Sequence, residues 1–128
     1  MKKKPRITVK SGKARGRKFQ QWTANEISKV IGIPCGKDLD IESRPGGQSG
    51  TDIILRGRAK ELFPFAIENK NQEKWSVHEW IKQAKSNAEG NNWLLFCKRN
   101  HMKPIVVLDA DKFFEIIGEV LWWRTGKR

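Results

Sequence analysis

Cysteines and long apolar runs are scarce in this sequence. Its two cysteines, Cys35 and Cys97, form no CxxC pair and have no histidine at zinc-finger spacing, so we expect reduced and partly buried thiols rather than a disulfide or a metal site. No stretch approaches the roughly 20 apolar residues that a membrane-spanning helix needs. The basic N-terminus is not followed by the apolar region of a secretory signal. We therefore expect a soluble, cytoplasmic protein without a membrane partner.

Motifs for two kinds of enzyme are also missing. The glycine-rich residues 46–50 lack the following Lys-Ser/Thr and helix of a phosphate-binding loop, so no nucleotide cofactor is expected. His78 and His101 stand alone, without the serine or cysteine motif of a nucleophilic hydrolase.

Acidic residues are absent from residues 1–18, which contain nine Lys or Arg. Residues 122–128 add three more, and residues 19–121 carry 14 basic and 14 acidic residues, so the net charge of +12 lies at the two ends. Each phosphate that such charges neutralise releases counterions, which favours DNA binding, although a solvated tail without a partner is the alternative. We predict a flexible basic arm over residues 1–17. The side chains expected to contact DNA here are Lys13, Arg15, Arg17 and Lys18.

The remaining residues, 18–128, are expected to fold as a single domain. Hydrophobic periodicity and turn residues define the helices and strands. The predicted elements are a helix over 17–31, strands over 38–44, 51–56 and 62–69, a helix over 76–88, strands over 93–98 and 105–108, and a final helix that Asp111 can cap. This order, αβββαββα, is typical of an α/β fold with a mixed sheet flanked by helices.

Two acids and a lysine are predicted to meet at one end of this sheet. Glu68 and Lys70 lie two residues apart on a strand and share a face, and Asp52 opens the preceding strand of a predicted hairpin. Carboxylates suit Mg²⁺, which polarises a phosphoryl oxygen and activates water. Lys70 can orient that water or offset transition-state charge, and the Asn69 carbonyl is a further candidate metal ligand. The alternative is an ordinary surface ion pair of Glu68 with Lys70 or Lys74.

These residues carry a resemblance to a nuclease superfamily. Ser49-Gly50-Thr51-Asp52-Ile53, followed by residues 62–74 (LFPFAIENKNQEK), is similar to the core of the PD-(D/E)XK nucleases, and most similar to Holliday junction resolvases and related small phage nucleases. The resemblance covers about residues 12–115. It implies a restriction-endonuclease-like core, Asp52 and Glu68 as catalytic, metal-binding acids and Lys70 as the catalytic lysine. It also implies Mg²⁺ as the cofactor, with Mn²⁺ expected to support activity.

Three further positions follow from the resemblance. Gln83 matches a glutamine that these families often place on the helix after the motif, with a solvated helix residue as the alternative. The families also place a catalytic and metal-binding acid on the first helix, and Glu26 is the candidate because it falls within the apolar stripe. Asn25 is the other possibility for that position. Ser49, in the glycine-rich loop, is a candidate phosphate contact.

The resemblance implies a Mg²⁺-dependent endodeoxyribonuclease that cuts branched DNA, a Holliday junction resolvase of DNA recombination and repair. A branched substrate needs two cuts, which a two-fold homodimer delivers symmetrically, so we expect a homodimer. Trp122 and Trp123 are expected in the core or at a dimer seam, with base stacking as the alternative. A sequence-specific or repair endonuclease and a non-catalytic DNA-binding module are the alternative functions, and only the resemblance suggests a phage origin.

Overall fold

The computed structural model describes residues 8–126 of the chain. Its elements in chain order are α1 (Val9–Ile31), β1 (Ile41–Ser43), β2 (Ile53–Leu55), α2 (Gly57–Leu62), β3 (Ala66–Asn71), α3 (Val77–Ala88), β4 (Trp93–Lys98), β5 (Ile105–Val107) and α4 (Ala110–Thr125). Within this part of the chain, no helix is both long and apolar enough to cross a membrane.

The strands form two small sheets that adjoin at β2 and β3. In the larger sheet, β3 is parallel to β4 and β4 is antiparallel to β5, while β1 and β2 form an antiparallel pair. The parallel neighbours β3 and β4 are joined through α3, because a parallel pair requires a crossover connection. The prediction of an α/β fold with a mixed sheet flanked by helices is confirmed, and it is consistent with a restriction-endonuclease-like core.

Helices α1 and α3 cover opposite faces of β3 and β4. On one face, Ile27 of α1 shares a buried cluster with Ile67 of β3. On the other face, Trp80 of α3 shares a buried cluster with Leu95 of β4. Burying a large apolar side chain contributes about 1.5–3 kcal/mol, so these clusters fix both helices against the strand that carries Glu68.

The segment between β2 and β3 differs from the prediction. We predicted a turn over 57–61 and a strand over 62–69 that pairs with its predecessor as a hairpin, and this is wrong. Gly57–Leu62 form a short helix, and Pro64, which has no N–H for a strand ladder, precedes the true start of β3 at Ala66. β2 pairs with β1 instead, and β3 pairs with β4.

Both terminal helices begin earlier than predicted. The prediction of a flexible arm is wrong for residues 9–17, which form the first turns of α1, while residues 1–7 lie outside the described residues. Thr8 caps α1 by accepting the backbone N–H of Ser11 at 3.1 Å, and the Lys, Ala and Arg residues that follow favour helix. In α4, Asp109 rather than Asp111 occupies the N-cap position.

Candidate active site

Asp52 is held against β3 through both its backbone and its side chain. Its backbone N–H donates to the Ile67 carbonyl at 2.9 Å. Its Oδ2 accepts the backbone N–H of Asn69 at 2.6 Å. These two bonds, rather than the predicted hairpin ladder, place Asp52 beside the central residues of β3.

Asn69 also connects β3 with α1. Its Nδ2 donates to Oγ1 of Thr23 at 2.7 Å, and the Thr23 hydroxyl donates to the Phe19 carbonyl at 3.1 Å. Thr23 is buried, and hydrogen bonds shielded from water are stronger than exposed ones. One residue therefore contacts Asp52 through its backbone and α1 through its side chain. The role of the Asn69 carbonyl as a metal ligand stays a prediction.

Glu68 and Lys70 project from the face of β3 that α3 covers. Ile67 and Asn69 contact residues on the α1 side, so strand alternation directs Glu68 and Lys70 the other way. Glu68 is 2% exposed, and Nδ2 of Asn87 on α3 donates to its Oε1 at 2.6 Å. This bond satisfies one oxygen of a carboxylate that burial has removed from water.

The structure brings together the two acids and the lysine that the sequence singled out. The side chains of Asp52 and Glu68 lie close enough for each to shift the pKa of the other, and the positive charge of Lys70 lowers the pKa of both. The three side chains therefore share one region at the border between the two sheets. The alternative of a surface ion pair does not describe Glu68, because its side chain is buried.

Burial dominates the electrostatics of the two acids. Desolvation raises the pKa of Glu68 to about 7, and the negative charge of Asp52 adds to this rise. Desolvation also raises the pKa of Asp52, against the opposing effects of the Asn69 N–H and the Lys70 charge. With one ammonium beside two buried carboxyl groups, the region lacks positive charge at neutral pH.

A divalent cation fits this donor set. Paired carboxylate oxygens are the ligands that Mg²⁺ prefers, and a bound cation would favour the ionised form of both buried carboxyl groups. No group of three or more His, Cys, Asp or Glu side chains with metal-binding geometry occurs among residues 8–126. Any ion here would therefore rely on Asp52 and Glu68, completed by water and by amide or carbonyl oxygens.

The residue of α1 beside Asp52 is Gln20, which sequence reasoning missed. The Gln20 side chain donates a hydrogen bond that lowers the pKa of Asp52, and its Oε1 accepts the Ser43 hydroxyl at 3.1 Å. Gln20 lies seven residues before the buried Ile27 and therefore on the same helix face. The sequence signal that could have identified Gln20 is a polar residue on a helix face that is otherwise apolar near the middle of α1.

The predicted first-helix acid, Glu26, lies away from the acid pair. It is six residues beyond Gln20, about 9 Å further along the helix axis and on a different side of the helix. There it forms an ion pair with Lys29 at 3.2 Å. Asn25, the alternative for this position, accepts hydrogen bonds from Gln21 and from the Cys35 thiol. The apolar stripe of α1 was read in the wrong register, so neither residue is brought to Asp52.

On α3, the amide that contacts the site is Asn87 rather than Gln83. Gln83 is exposed and lies one helical turn before Asn87 on the same side of α3. Because β4 is parallel to β3, α3 runs back along β3, and Gln83 lies toward the Lys70 end of that strand. A role for Gln83 at the site stays a prediction. Asn87 had no sequence signal beyond its spacing of four from Gln83.

A basic cleft leads from α1 to Asp52. The cleft has a volume of about 380 Å³ and runs between α1 and the glycine-rich loop. Its charged lining residues are Lys13, Arg17, Arg44 and Asp52. Lys13 and Arg17 share a helix face with Gln20, whereas Arg15 and Lys18 point from other sides of α1. Ser49 lines an adjacent cleft with Arg44 and Asn87.

Arg44 separates these two clefts and was not anticipated from the sequence. Its guanidinium donates to the Thr51 carbonyl, and it lies where a Cβ on Gly50 would come within 3.0 Å of it. Gly50 has φ 119°, a conformation that side chains rarely adopt. The backbone conformation therefore favours a glycine here, and a larger residue would also displace the arginine side chain.

Comparison with known protein families agrees with this geometry. The model of a family described as "Phage putative PDDEXK endonuclease" matches residues 11–121, most of the chain. The chain belongs to this phage PDDEXK endonuclease family. The match extends from α1 into α4 and includes Asp52, Glu68 and Lys70. Membership makes the chain a nuclease with DNA as its substrate, in a superfamily that typically uses divalent metals. Comparisons with curated proteins and with solved structures gave no match.

Proposed function

We propose that this PDDEXK endonuclease is a Holliday junction resolvase, which hydrolyses phosphodiester bonds in four-way or other branched DNA. The observation that carries the proposal is the buried Asp52–Glu68 pair with Lys70 beside it, reached through a cleft that basic residues line. Two buried acids and one ammonium suit metal-assisted phosphodiester hydrolysis. The biological setting we propose is DNA recombination and repair.

We propose Asp52 and Glu68 as the residues that hold the divalent ion, Mg²⁺ with Mn²⁺ as a substitute. When bound, the ion supplies Lewis-acid stabilisation of charge that develops on the phosphate. Asn69 and Asn87 hold the two carboxylates in place through their N–H groups. Lys70 places a positive charge where the attacking water and the phosphate oxygens meet, which stabilises the transition state.

We propose that a DNA strand follows the basic cleft along α1 to Asp52. Lys13 and Arg17 on α1 and Arg44 on the opposite wall offer three cations for successive phosphates. The nuclease domain includes α1 from its start, and the basic side chains among residues 1–17 add affinity that falls with salt. Arg15, Lys18 and Ser49 do not line this cleft, and we propose that they contribute weaker phosphate contacts.

A branched substrate also bears on the assembly. Resolution of a four-way junction takes two cuts of matched geometry, and two copies related by a two-fold axis supply two equivalent sites. We therefore propose a homodimer as the active form.

The test is cleavage of a synthetic four-way junction and a linear duplex that contains the same sequences, each with Mg²⁺, Mn²⁺ or EDTA. Metal-dependent cleavage of the junction alone supports the proposal. Equal cleavage of both substrates indicates a sequence-specific or repair endonuclease instead. Binding without cleavage under every metal condition indicates a DNA-binding module. Asp52→Asn should retain junction binding and lose cleavage, and an active Asp52→Asn variant would overturn the site assignment.

A further inference from the structure

Helix α4 has no buried residue, although it is the most apolar helix of the chain. None of its 16 residues is buried against the domain. Among its exposed side chains are Phe114 at 69%, Leu121 at 52% and Trp123 at 80%. Apolar residues occur on all sides of the helix, a pattern found in helices that are buried on all sides. The single chain leaves this surface uncovered.

We propose that α4 pairs antiparallel with α4 of a second copy of this chain, about a two-fold axis between Ile117 and Gly118. Phe114, Ile117, Leu121 and Arg124 follow the alternating spacing of three and four residues that forms a helix–helix seam. A two-fold at this point places Phe114 opposite the partner's Leu121. Each copy then presents the same patch to the other, as a closed two-fold interface requires.

Gly118 allows the two helices to approach closely at the crossing point. It lies near the middle of α4, and a Cβ built on it would meet no atom within 4 Å. The space beside Gly118 is therefore open in one chain. A glycine at a crossing point brings helix backbones together, although it costs about 0.5–1 kcal/mol relative to alanine within a helix.

The charges of α4 favour a second copy over other occupants. Its start carries Asp109 and Asp111 and its end carries Arg124, so an antiparallel pair brings opposite charges together at both ends. Residues 109–125 contain four acids and two basic residues. This net negative charge disfavours DNA and anionic lipid surfaces, both of which repel it.

The exposed apolar area of α4 and β5 is comparable with the area that a stable dimer buries. A large aromatic side chain carries roughly 150–250 Å² of surface, so the exposed aromatic and aliphatic side chains of α4 and β5 approach the roughly 800 Å² that each partner buries in a stable interface. Ile105 and Val106 on the edge strand β5 extend the patch beside α4. The surface is larger than the scattered apolar side chains of a typical monomer.

The interface deepens the proposed homodimer but does not depend on nuclease activity. α4 lies outside the cleft and the acid pair, none of whose lining residues belongs to it. The oligomeric state and the cleavage activity can therefore be tested separately.

The first experiment measures the mass of the intact protein in solution by light scattering. The wild type should be a dimer, and Gly118→Leu should be monomeric, because a leucine fits in one chain but occupies the space that the partner helix needs. Gly16→Leu is the matched control: it also lies inside a helix with nothing within 4 Å, and its mass should stay dimeric. A monomeric wild type at about 100 µM, well above the Kd of ordinary stable dimers, overturns the proposal.

A charge exchange tests the antiparallel direction. Asp111→Arg and Arg124→Glu should each raise the dimer Kd by roughly tenfold or less, as expected for exposed ion pairs, and the double variant should restore it. Circular dichroism confirms that each variant is folded. A dimer that persists in all three variants and in Gly118→Leu overturns this interface. Binding of the wild type to phosphatidylglycerol vesicles in place of self-association overturns it as well.

Junction cleavage is measured on the wild type and on Gly118→Leu to separate the two proposals. A monomeric wild type that cleaves a four-way junction contradicts the interface alone. A wild-type dimer that Gly118→Leu dissociates, but that cleaves no DNA, supports the interface and contradicts the proposed function.

Discussion

Helices α1 and α4 show how differently one small domain uses its two longest helices. α1 buries Phe19, Ala24 and Ile27 and carries basic residues without an acid in its first half. α4 buries no residue and carries apolar side chains with a net negative charge. The buried side chains of α1 fix the position of the helix, and Gln20 is thereby held beside Asp52. α4 has no buried side chains that fix its position, and its exposed apolar side chains form a contact surface rather than part of the candidate active site.

The largest expected effect is that of Lys70, and it tests whether catalysis depends on the residues that β3 carries at the candidate active site. Lys70→Ala should lower the rate of single-turnover cleavage by roughly 10²–10³-fold, because it removes a preorganised charge from the transition state. Junction affinity, measured by gel shift in Ca²⁺, should change little. Lys74→Ala, an exposed lysine four residues later, is the control and should cleave normally. An equal loss in both variants would show that the positive charge acts only through DNA binding.

The second prediction concerns the stability of the acid pair without metal. The folded protein keeps a proton on Glu68 up to about pH 7, whereas an ordinary glutamate loses it near pH 4.5, so the metal-free fold loses stability as the pH rises through this range. The loss is at most about 3 kcal/mol. Urea unfolding in EDTA at pH 5 and pH 8 measures it.

Glu68→Gln is the matched variant for this experiment. It carries no ionisable group at this position, so its stability should depend less on pH and exceed that of the wild type at pH 8 in EDTA. Mg²⁺ should stabilise the wild type more than the variant at pH 8. Identical pH profiles for the two proteins would contradict the assigned cause of the pKa shift.

The third prediction compares two positions on α1 itself. Gln20→Ala removes a hydrogen bond to Asp52 and should lower cleavage by roughly tenfold, the value of one net hydrogen bond. Glu26→Ala breaks an exposed ion pair with Lys29, worth at most about 1 kcal/mol, and should cleave normally. If Gln20→Ala is fully active and Glu26→Ala is folded but inactive, Glu26 rather than Gln20 is the α1 residue of the active site.

The smallest expected effect is on the salt dependence of DNA binding, and it compares basic residues of α1 with a lysine of α4. Lys13→Ala and Arg17→Ala should each reduce the slope of log affinity against log salt by about 1, because each removes one phosphate contact. Lys112→Ala on α4, where the lysine pairs with Glu115 at 2.7 Å, should leave the slope unchanged. A larger change from Lys112 than from Lys13 would place DNA on the α4 side.

The sequence predicted the elements that depend on local patterns. Alternation and apolar runs located β4 at its observed bounds and α3 within one residue, and the fold class followed from the order of elements. The pairing of β2 was missed because hydrogen-bond partners depend on the path of the chain, and the short helix α2 interrupts the expected hairpin. Hydrophobic periodicity predicts whether a segment is a helix or a strand, but not which strand it pairs with.

The candidate site was predicted in the same uneven way. Asp52, Glu68 and Lys70 meet because strand alternation and short separation leave them few other arrangements. Gln20 and Asn87 reach the acids from distant helices. A misjudged register of α1 favoured Glu26 over Gln20, whereas Gln83 was taken from the resemblance and its role stays a prediction. The catalytic roles of all these residues stay predictions for the experiments above.

Asn69 connects the candidate active site with helix α1. Its backbone N–H donates to Asp52, and its side-chain amide donates to Thr23 in the middle of α1. Both attachments are made by one residue of β3, so the same strand fixes the positions of α1 and of Asp52 relative to each other.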